Sequence, residues 1–332
     1  VLVDSGSRLA LPGAAQIYEL NTPLFSDYAA KLRTIHLPAG ANMVYESYDA
    51  FELPVGSVIA KTFFYFVDST GRIDLDRTGA WDGNPHTLLR TNIHPIETRL
   101  LVKQAHGWDA LPYVWDGHDA VLSITGDLQT FTTTAGQNLN YIVPSRNQCA
   151  SCHATNHTTG ALQPIGIKAR HLNHNSPVHG ENQLVHWQQT GLLAGLPPID
   201  EVPENADFYA QGEGNDTLDH RARSYLDINC GHCHNPAGAA DTSGLLLDYQ
   251  DHSLASLGFC KAPIASGRGS GGRMFSIVPG DTDASIMSFR MNTTDPATMM
   301  PELGRTLVHA EGVALISAWI NQLSEHYPPG CR

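Results

Sequence analysis

Positive charge is scarce in this chain of 332 residues: 20 Lys and Arg stand against 33 Asp and Glu, a formal charge of −13. That deficit disfavours a nucleic-acid partner or an anionic membrane surface, both of which repel an acidic protein. Long apolar runs are missing too, and none approaches the roughly 18 residues a membrane-spanning helix needs. No basic segment followed by an apolar one opens the chain at Val1, so an export signal is expected to have been removed. Phosphate-loop chemistry is also disfavoured. The Gly-rich run Ser266–Arg273 lacks the spacing and terminal Lys-Ser/Thr of a nucleotide cradle and reads as a loop. Hydrophobic content is 42%, so a folded chain is expected, long enough for two or three domains.

Cysteine is rare as well, six residues in all, but four of them are strongly patterned. Cys149-Ala150-Ser151-Cys152-His153 and Cys230-Gly231-His232-Cys233-His234 are both C-x-x-C-H. In this spacing two thiols can add across the vinyl groups of a porphyrin, and the following His can ligate its iron. Composition alone gives one such motif about 0.005 times in a chain with this much Cys and His, so a pair is on the order of 10⁻⁵. A zinc site would bring four ligands together and leave the two histidines unexplained. A redox dithiol would sit in a βαβ context, which the sequence does not show. Two covalently attached c-type haems are therefore expected, held by Cys149, Cys152, Cys230 and Cys233, with His153 and His234 as proximal iron ligands. The remaining pair, Cys260 and Cys331, suggests a disulfide closing a loop of about 70 residues, worth roughly 4 kcal/mol in the chain-entropy model. A bond from Cys331 to another subunit is the alternative.

The fold expected is α+β and multidomain: an antiparallel β-rich N-terminal domain, sandwich or barrel-like, over residues 1–145, followed by mainly α-helical c-type haem domains. The β-rich reading rests on short β-branched and aromatic runs such as Thr62–Val67, Thr98–Val102, Tyr113–Trp115 and Leu139–Val143. A first haem segment would cover 146–204 and a second haem domain 205–332. Helices are expected over Asn182–Gly191, from an Asp216 or Thr217 cap into the second motif, after an Asp281 or Asp283 cap, and along the stripe Val313, Ile316, Ile320 and Leu323.

The second axial position on each iron decides between carrier and catalyst. No methionine lies between Met43 and Met274, so the two haems are not expected to be equivalent. Met299-Met300-Pro301 precedes the C-terminal helix. With the helix leading into Cys230, it gives residues 205–332 a resemblance to a class I cytochrome c domain, which implies Met300 as the thioether ligand, with Met299 as runner-up. For the first haem the nearby candidates are histidines: His171 is preferred, then His174, with His157, His179, a distant His, a His from a second copy of the chain or an open site remaining.

Beyond these motifs, Asn21–Ala29, Ala169–Asn173 and Arg221–His234 are similar to stretches of a family of exported bacterial dihaem c-type cytochromes. That resemblance implies a periplasmic or extracellular electron-transfer protein meeting redox partners, basic ones suiting its charge. Two alternatives stand beside it: a dihaem peroxidase or oxidase with one open iron, and a self-associating subunit of a haem-stacking filament.

Overall fold

The computed structural model describes residues 3–4, 9–10, 15–81, 83–89, 91–117, 119–208, 216–250, 252–327 and 330–331. The chain divides into two compact units. The first holds 1–21, 28–153 and 161–204; the second holds 22–27, 154–160 and 205–332.

The first unit is built on one antiparallel sheet of seven strands: β1 (Gln16–Ile17), β2 (Ala30–His36), β3 (Val58–Val67), β4 (Ile73–Asp74), β5 (Ile93–Gln104), β6 (Gly107–Trp115) and β7 (Ala120–Leu122). Their order is β7-β6-β5-β3-β2-β1, with β4 on β3. β7 and β1 end the row without pairing to each other, so the sheet stays open rather than closing as a barrel. β3 explains its central place: its β-branched and aromatic residues suit a strand buried on both faces, and Phe63, Phe64 and Tyr65 are wholly buried. A separate hairpin joins β8 (Asp127–Thr132) to β9 (Asn138–Val143).

Register places three rows of side chains on one face of the sheet. Ile35, Ile59 and Leu101 stand opposite one another across β2, β3 and β5; Arg33, Lys61 and Arg99 form the next row; Lys31, Phe63 and Glu97 form the third. The apolar row joins a buried cluster with Cys149, Ile167, Ala169, Leu172, Leu184 and Trp187, which come from the segments after the sheet. The opposite face buries Ala30, Leu32, Phe64, Phe66 and Trp115.

The helices are α1 (Leu75–Gly79), α2 (Arg146–His153), α3 (Ala169–Leu172), α4 (Gln183–Gln189), α5 (Leu218–Leu226), α6 (Ile286–Met291) and α7 (Ala310–Gln322). In the second unit α5 packs on α7, and Tyr225, Leu226, Leu315, Ile316, Trp319 and Ile320 form the core between them. The disulfide is present: Cys260 and Cys331 are bonded, with Cα atoms 5.2 Å apart.

The expectation of mainly α-helical haem domains is not met. After the sheet the helices have only 8, 4, 7, 9, 6 and 13 residues, joined by turns and loops, and the large antiparallel sheet dominates the architecture. The physical reason is the punctuation of the sequence. Between His234 and α6, glycines 244, 258, 267, 271, 272 and 280 all take positive φ, where a right-handed helix cannot continue. Among the described residues no helix is long and apolar enough to cross a membrane.

Candidate functional site

The first C-x-x-C-H motif lies within α2. A reciprocal cap starts that helix: the Gln148 amide donates to Ser145 Oγ (3.3 Å), and the Ser145 amide donates to Gln148 Oε1 (2.8 Å). Helical spacing then puts Cys149 and His153 one turn apart on the same face. Nδ1 of His153 bonds the carbonyl of Gln163, ten residues on, at 2.8 Å, and the Gln163 amide returns a bond to the His153 carbonyl at 2.8 Å.

The second motif is reached differently. Thr217 caps α5 by accepting from the His220 amide, and the helix widens into a π-turn over Asp227–Gly231 that carries Cys230. Gly231 is required there, because a Cβ would come within 2.8 Å of the Asp248 Cα. His234 then repeats the arrangement of His153. Its Nδ1 bonds the Leu245 carbonyl, eleven residues on, at 3.1 Å, and the Leu247 amide donates to the His234 carbonyl at 2.8 Å. An Nδ1–H committed to a carbonyl fixes the tautomer, so the lone pair sits at Nε2; this is the orientation metal-bound histidines take.

No disulfide joins the four motif cysteines. Burial raises the pKa of Cys149 and pushes Cys230 up to about 12, against the usual thiol range. Redox dithiols instead depress a thiol pKa, so the pattern does not suit exchange chemistry. Cys152, Cys230 and Cys233 nevertheless keep partly open surfaces, as do both histidines. In each motif two thiols and an oriented imidazole are the donor set that a covalently attached haem would use. No group of three or more His, Cys, Asp or Glu that could hold a bare metal ion occurs among the described residues, and a haem iron asks the protein for only one or two ligands.

Met300 is half-buried in a loop fixed from three directions. Its amide donates to the Arg290 carbonyl at 2.9 Å. Its own carbonyl accepts from Arg305, whose buried guanidinium also reaches the carbonyls of Arg290, Thr293 and Leu307. Asp27 holds the far side by accepting from the Thr306 and Leu307 amides, each at 2.7 Å. The segment bearing Asp27 is itself anchored, through the Phe25 amide on Asn229 Oδ1 (2.8 Å) and the Phe25 ring stacked on His309 (4.2 Å). The loop also neighbours the motif. Burial, then the Arg290 charge, hold His234 below the ordinary imidazole range against the pull of the Leu245 carbonyl; Arg305 acts on Cys230. Met299 is buried beside it.

His171 lies in the four-residue α3 and is fully buried, its neighbours Ala169 and Leu172 sharing the apolar cluster of Cys149. His174 bonds the carbonyls of Glu19 and Asn175, and His179 stacks on His186 at 4.1 Å. His157 bonds the carbonyls of Ala237 and Gly238 in the second unit.

Sequence reading passed over three features: the Ser145–Gln148 cap, the Arg305–Asp27 brace and the Arg33-Lys61-Arg99 row. Only the first has a local signature, Ser-x-x-Gln before a helix. No protein-family model, no curated protein and no solved structure matches this chain.

Proposed function

We propose that this chain is a dihaem c-type cytochrome that carries electrons outside the cytoplasm. The observation that carries the reading is the repeated geometry of His153 and His234: each follows a C-x-x-C pair and ties Nδ1 to a carbonyl ten or eleven residues on. Two segments of different backbone conformation, a helix and a π-turn, converge on one imidazole arrangement. In this reading Cys149, Cys152, Cys230 and Cys233 form the thioethers, and His153 and His234 offer Nε2 as proximal ligands. Met300 supplies the second ligand beside His234, and His171 the second ligand beside His153. A haem held by these residues would supply one-electron chemistry, at higher potential where the second ligand is a thioether than where both are imidazoles.

The protein's own part is positional. The carbonyls of Gln163 and Leu245 set the imidazole planes, while Arg305 and Asp27 fix the Met300 loop. The Cys260–Cys331 bond suits a compartment outside the reducing cytosol. The charge of −13 suits a basic redox partner.

The test is expression in a host with a c-type maturation system, followed by intact mass and reduced-minus-oxidised spectra. Two haems are expected, falling to one in Cys230→Ser/Cys233→Ser. A mature chain without covalent haem overturns the proposal. Binding of CO or cyanide with peroxide turnover would replace a carrier by an enzyme.

A further inference from the structure

The formal charge of −13 is not evenly spread. Residues 252–280 contain no Asp or Glu but hold Lys261, Arg268 and Arg273, which leaves −16 on the rest of the chain. Within this stretch lies the Gly-rich run Ser266–Arg273, to which the proposed function gives no task. It is a built loop, not a slack one. A 3-10 turn covers Gly267–Ser270, and Gly271 takes φ +55° where a Cβ would come within 2.6 Å of the Phe289 ring. The Arg273 guanidinium lies over that ring at 4.5 Å and bonds two carbonyls, Asp283 at 2.6 Å and Gly271 at 3.2 Å. The nearby carboxylate of Asp281 is spent on the Ala284 amide. Arg268 is exposed, and among the described residues its side chain makes no hydrogen bond or ion pair.

Flanking the arginines are the two most exposed large apolar side chains among the described residues, Ile264 at 70% and Met274 at 72%. Arg and Met are enriched at protein–protein interfaces, and Asp and Glu depleted, as they are here. The loop also adjoins the one that bears Met300. A Cβ on Gly269 would meet the Arg290 guanidinium at 3.3 Å, and the Arg290 carbonyl accepts the Met300 amide at 2.9 Å. A small anion would answer the arginines and leave Ile264 and Met274 in water, whereas a protein surface covers both. An anionic membrane is repelled by the acidic remainder of the chain. We infer that the loop from Ile264 to Met274 is the docking site for an acidic redox protein that exchanges one electron with the haem attached at Cys230 and Cys233, an inference that rests on the haem reading above. A carrier needs a donor and an acceptor, and surfaces of opposite sign give each its own face.

The experiment uses the full-length dihaem protein and, as probe, a [2Fe–2S] ferredoxin, an acidic one-electron donor of low potential. Stopped-flow spectra give the second-order rate of haem reduction for wild type, Arg268→Glu, Met274→Ser and Arg72→Glu. Arg72 is exposed in the sheet unit, so its reversal changes net charge equally away from the loop. At low salt Arg268→Glu is expected to slow reduction about ten-fold, an effect that fades as salt screens it. Met274→Ser is expected to slow it about three-fold at every salt concentration, and Arg72→Glu by less than about two-fold. Reduced lumiflavin, small and uncharged, is expected to reduce all four at one rate. As a readout without electron transfer, the Ile264 and Met274 methyl resonances are expected to shift on titration with oxidised ferredoxin, and to stay in place in Arg268→Glu. Methyl groups that do not respond in wild type overturn the inference, as does Arg268→Glu reacting as fast as Arg72→Glu. A slowing that lumiflavin shows equally overturns it too, since the change then lies at the haem. So does a dimer that Arg268→Glu dissociates at an unchanged ferredoxin rate, which assigns the loop to a second copy. A wild-type chain with no haem by mass instead sinks the underlying reading, and this inference with it.

Discussion

Arg305 grips the carbonyl oxygen of Met300 with two nitrogens, Nε at 3.2 Å and Nη2 at 2.8 Å. The same guanidinium reaches three other carbonyls, so one buried cation fixes the path of the whole Met-Pro loop. Bonds from a charged donor contribute about 1.5–3 kcal/mol each and are not additive, so Arg305→Gln is expected to cost about 3 kcal/mol. Denaturant unfolding checks the stability. In the dihaem form proposed above, the haem-shifted methyl resonance of a coordinated methionine would check the loop: it should weaken or vanish in Arg305→Gln, as in Met300→Ala. An unchanged resonance would mean that the loop does not depend on this brace.

α5 and α7 approach closely at one point. A Cβ on Gly312 would meet Tyr225 Oη at 2.3 Å and Cζ at 2.5 Å, and neither the buried ring nor the neighbouring His309 has room to retreat. Gly312→Ala is therefore expected to destabilise the second unit by about 1–3 kcal/mol, the usual range for overpacking. Because the clash is with one ring, Gly312→Ala in a Tyr225→Leu background should cost less. A double-mutant cycle measures that coupling, and additive costs would place the strain elsewhere.

These two relationships mark the boundary of what the sequence makes legible. Local signals survived. The two C-x-x-C-H motifs, the leftover Cys260 and Cys331, the Thr217 cap and the helix after Asn182 can all be read from a few residues. The strand Ala30–His36 is hard to read because Lys31, Arg33 and His36 break its apolar pattern, although Lys31 and Arg33 alternate with Leu32 and Thr34 at the period a strand requires. The strand Asp127–Thr132 was hidden by its polarity, since most of its residues face solvent. Near α6 neither expected carboxylate, Asp281 or Asp283, is the cap; Ser285 holds that position. Asp281 accepts from the Ala284 amide in a preceding turn, and the helix starts after Ser285. Helical content was overestimated because a haem motif and a closing helix suggest a helical domain, whereas the glycines between them enforce loops. Arg305 and Asp27 meet partners on chain segments far from each other, and no local pattern encodes that.

The histidine pair of the first unit gives a pH dependence. Burial holds His179 below the ordinary imidazole range, and His186 stacked on it acts in the same direction, while the Ile17 carbonyl and Glu181 oppose them. A depressed folded pKa means that the unfolded chain takes up its proton first. Stability from His179 is thus fully present above about 6.5 and is lost as pH falls through the lower folded value. Denaturant melts between pH 7.5 and 5 should show stability falling on acidification, with a shallower slope in His179→Gln. An equal slope in both would assign the acid sensitivity to other groups.

Cys260 is exposed, so reductant can reach the disulfide without prior unfolding. The bond spans 71 residues and closes a loop containing α6, Met300, Arg305 and α7. Loop-closure entropy for that length gives about 4 kcal/mol, realised by restricting the unfolded second unit. Cys260→Ser/Cys331→Ser is expected to lower the melting temperature of that unit on the order of 10 °C, and to leave the thermal transition of the sheet unit in place. In the dihaem form proposed above, the haems would report the two units separately. Heating should disturb the spectrum of the haem in Cys149→Ser/Cys152→Ser earlier when the disulfide is also removed, and should leave that of Cys230→Ser/Cys233→Ser unaffected by the same change. If both spectra shifted together, the two units would unfold as one cooperative body, and the disulfide would stabilise the whole chain.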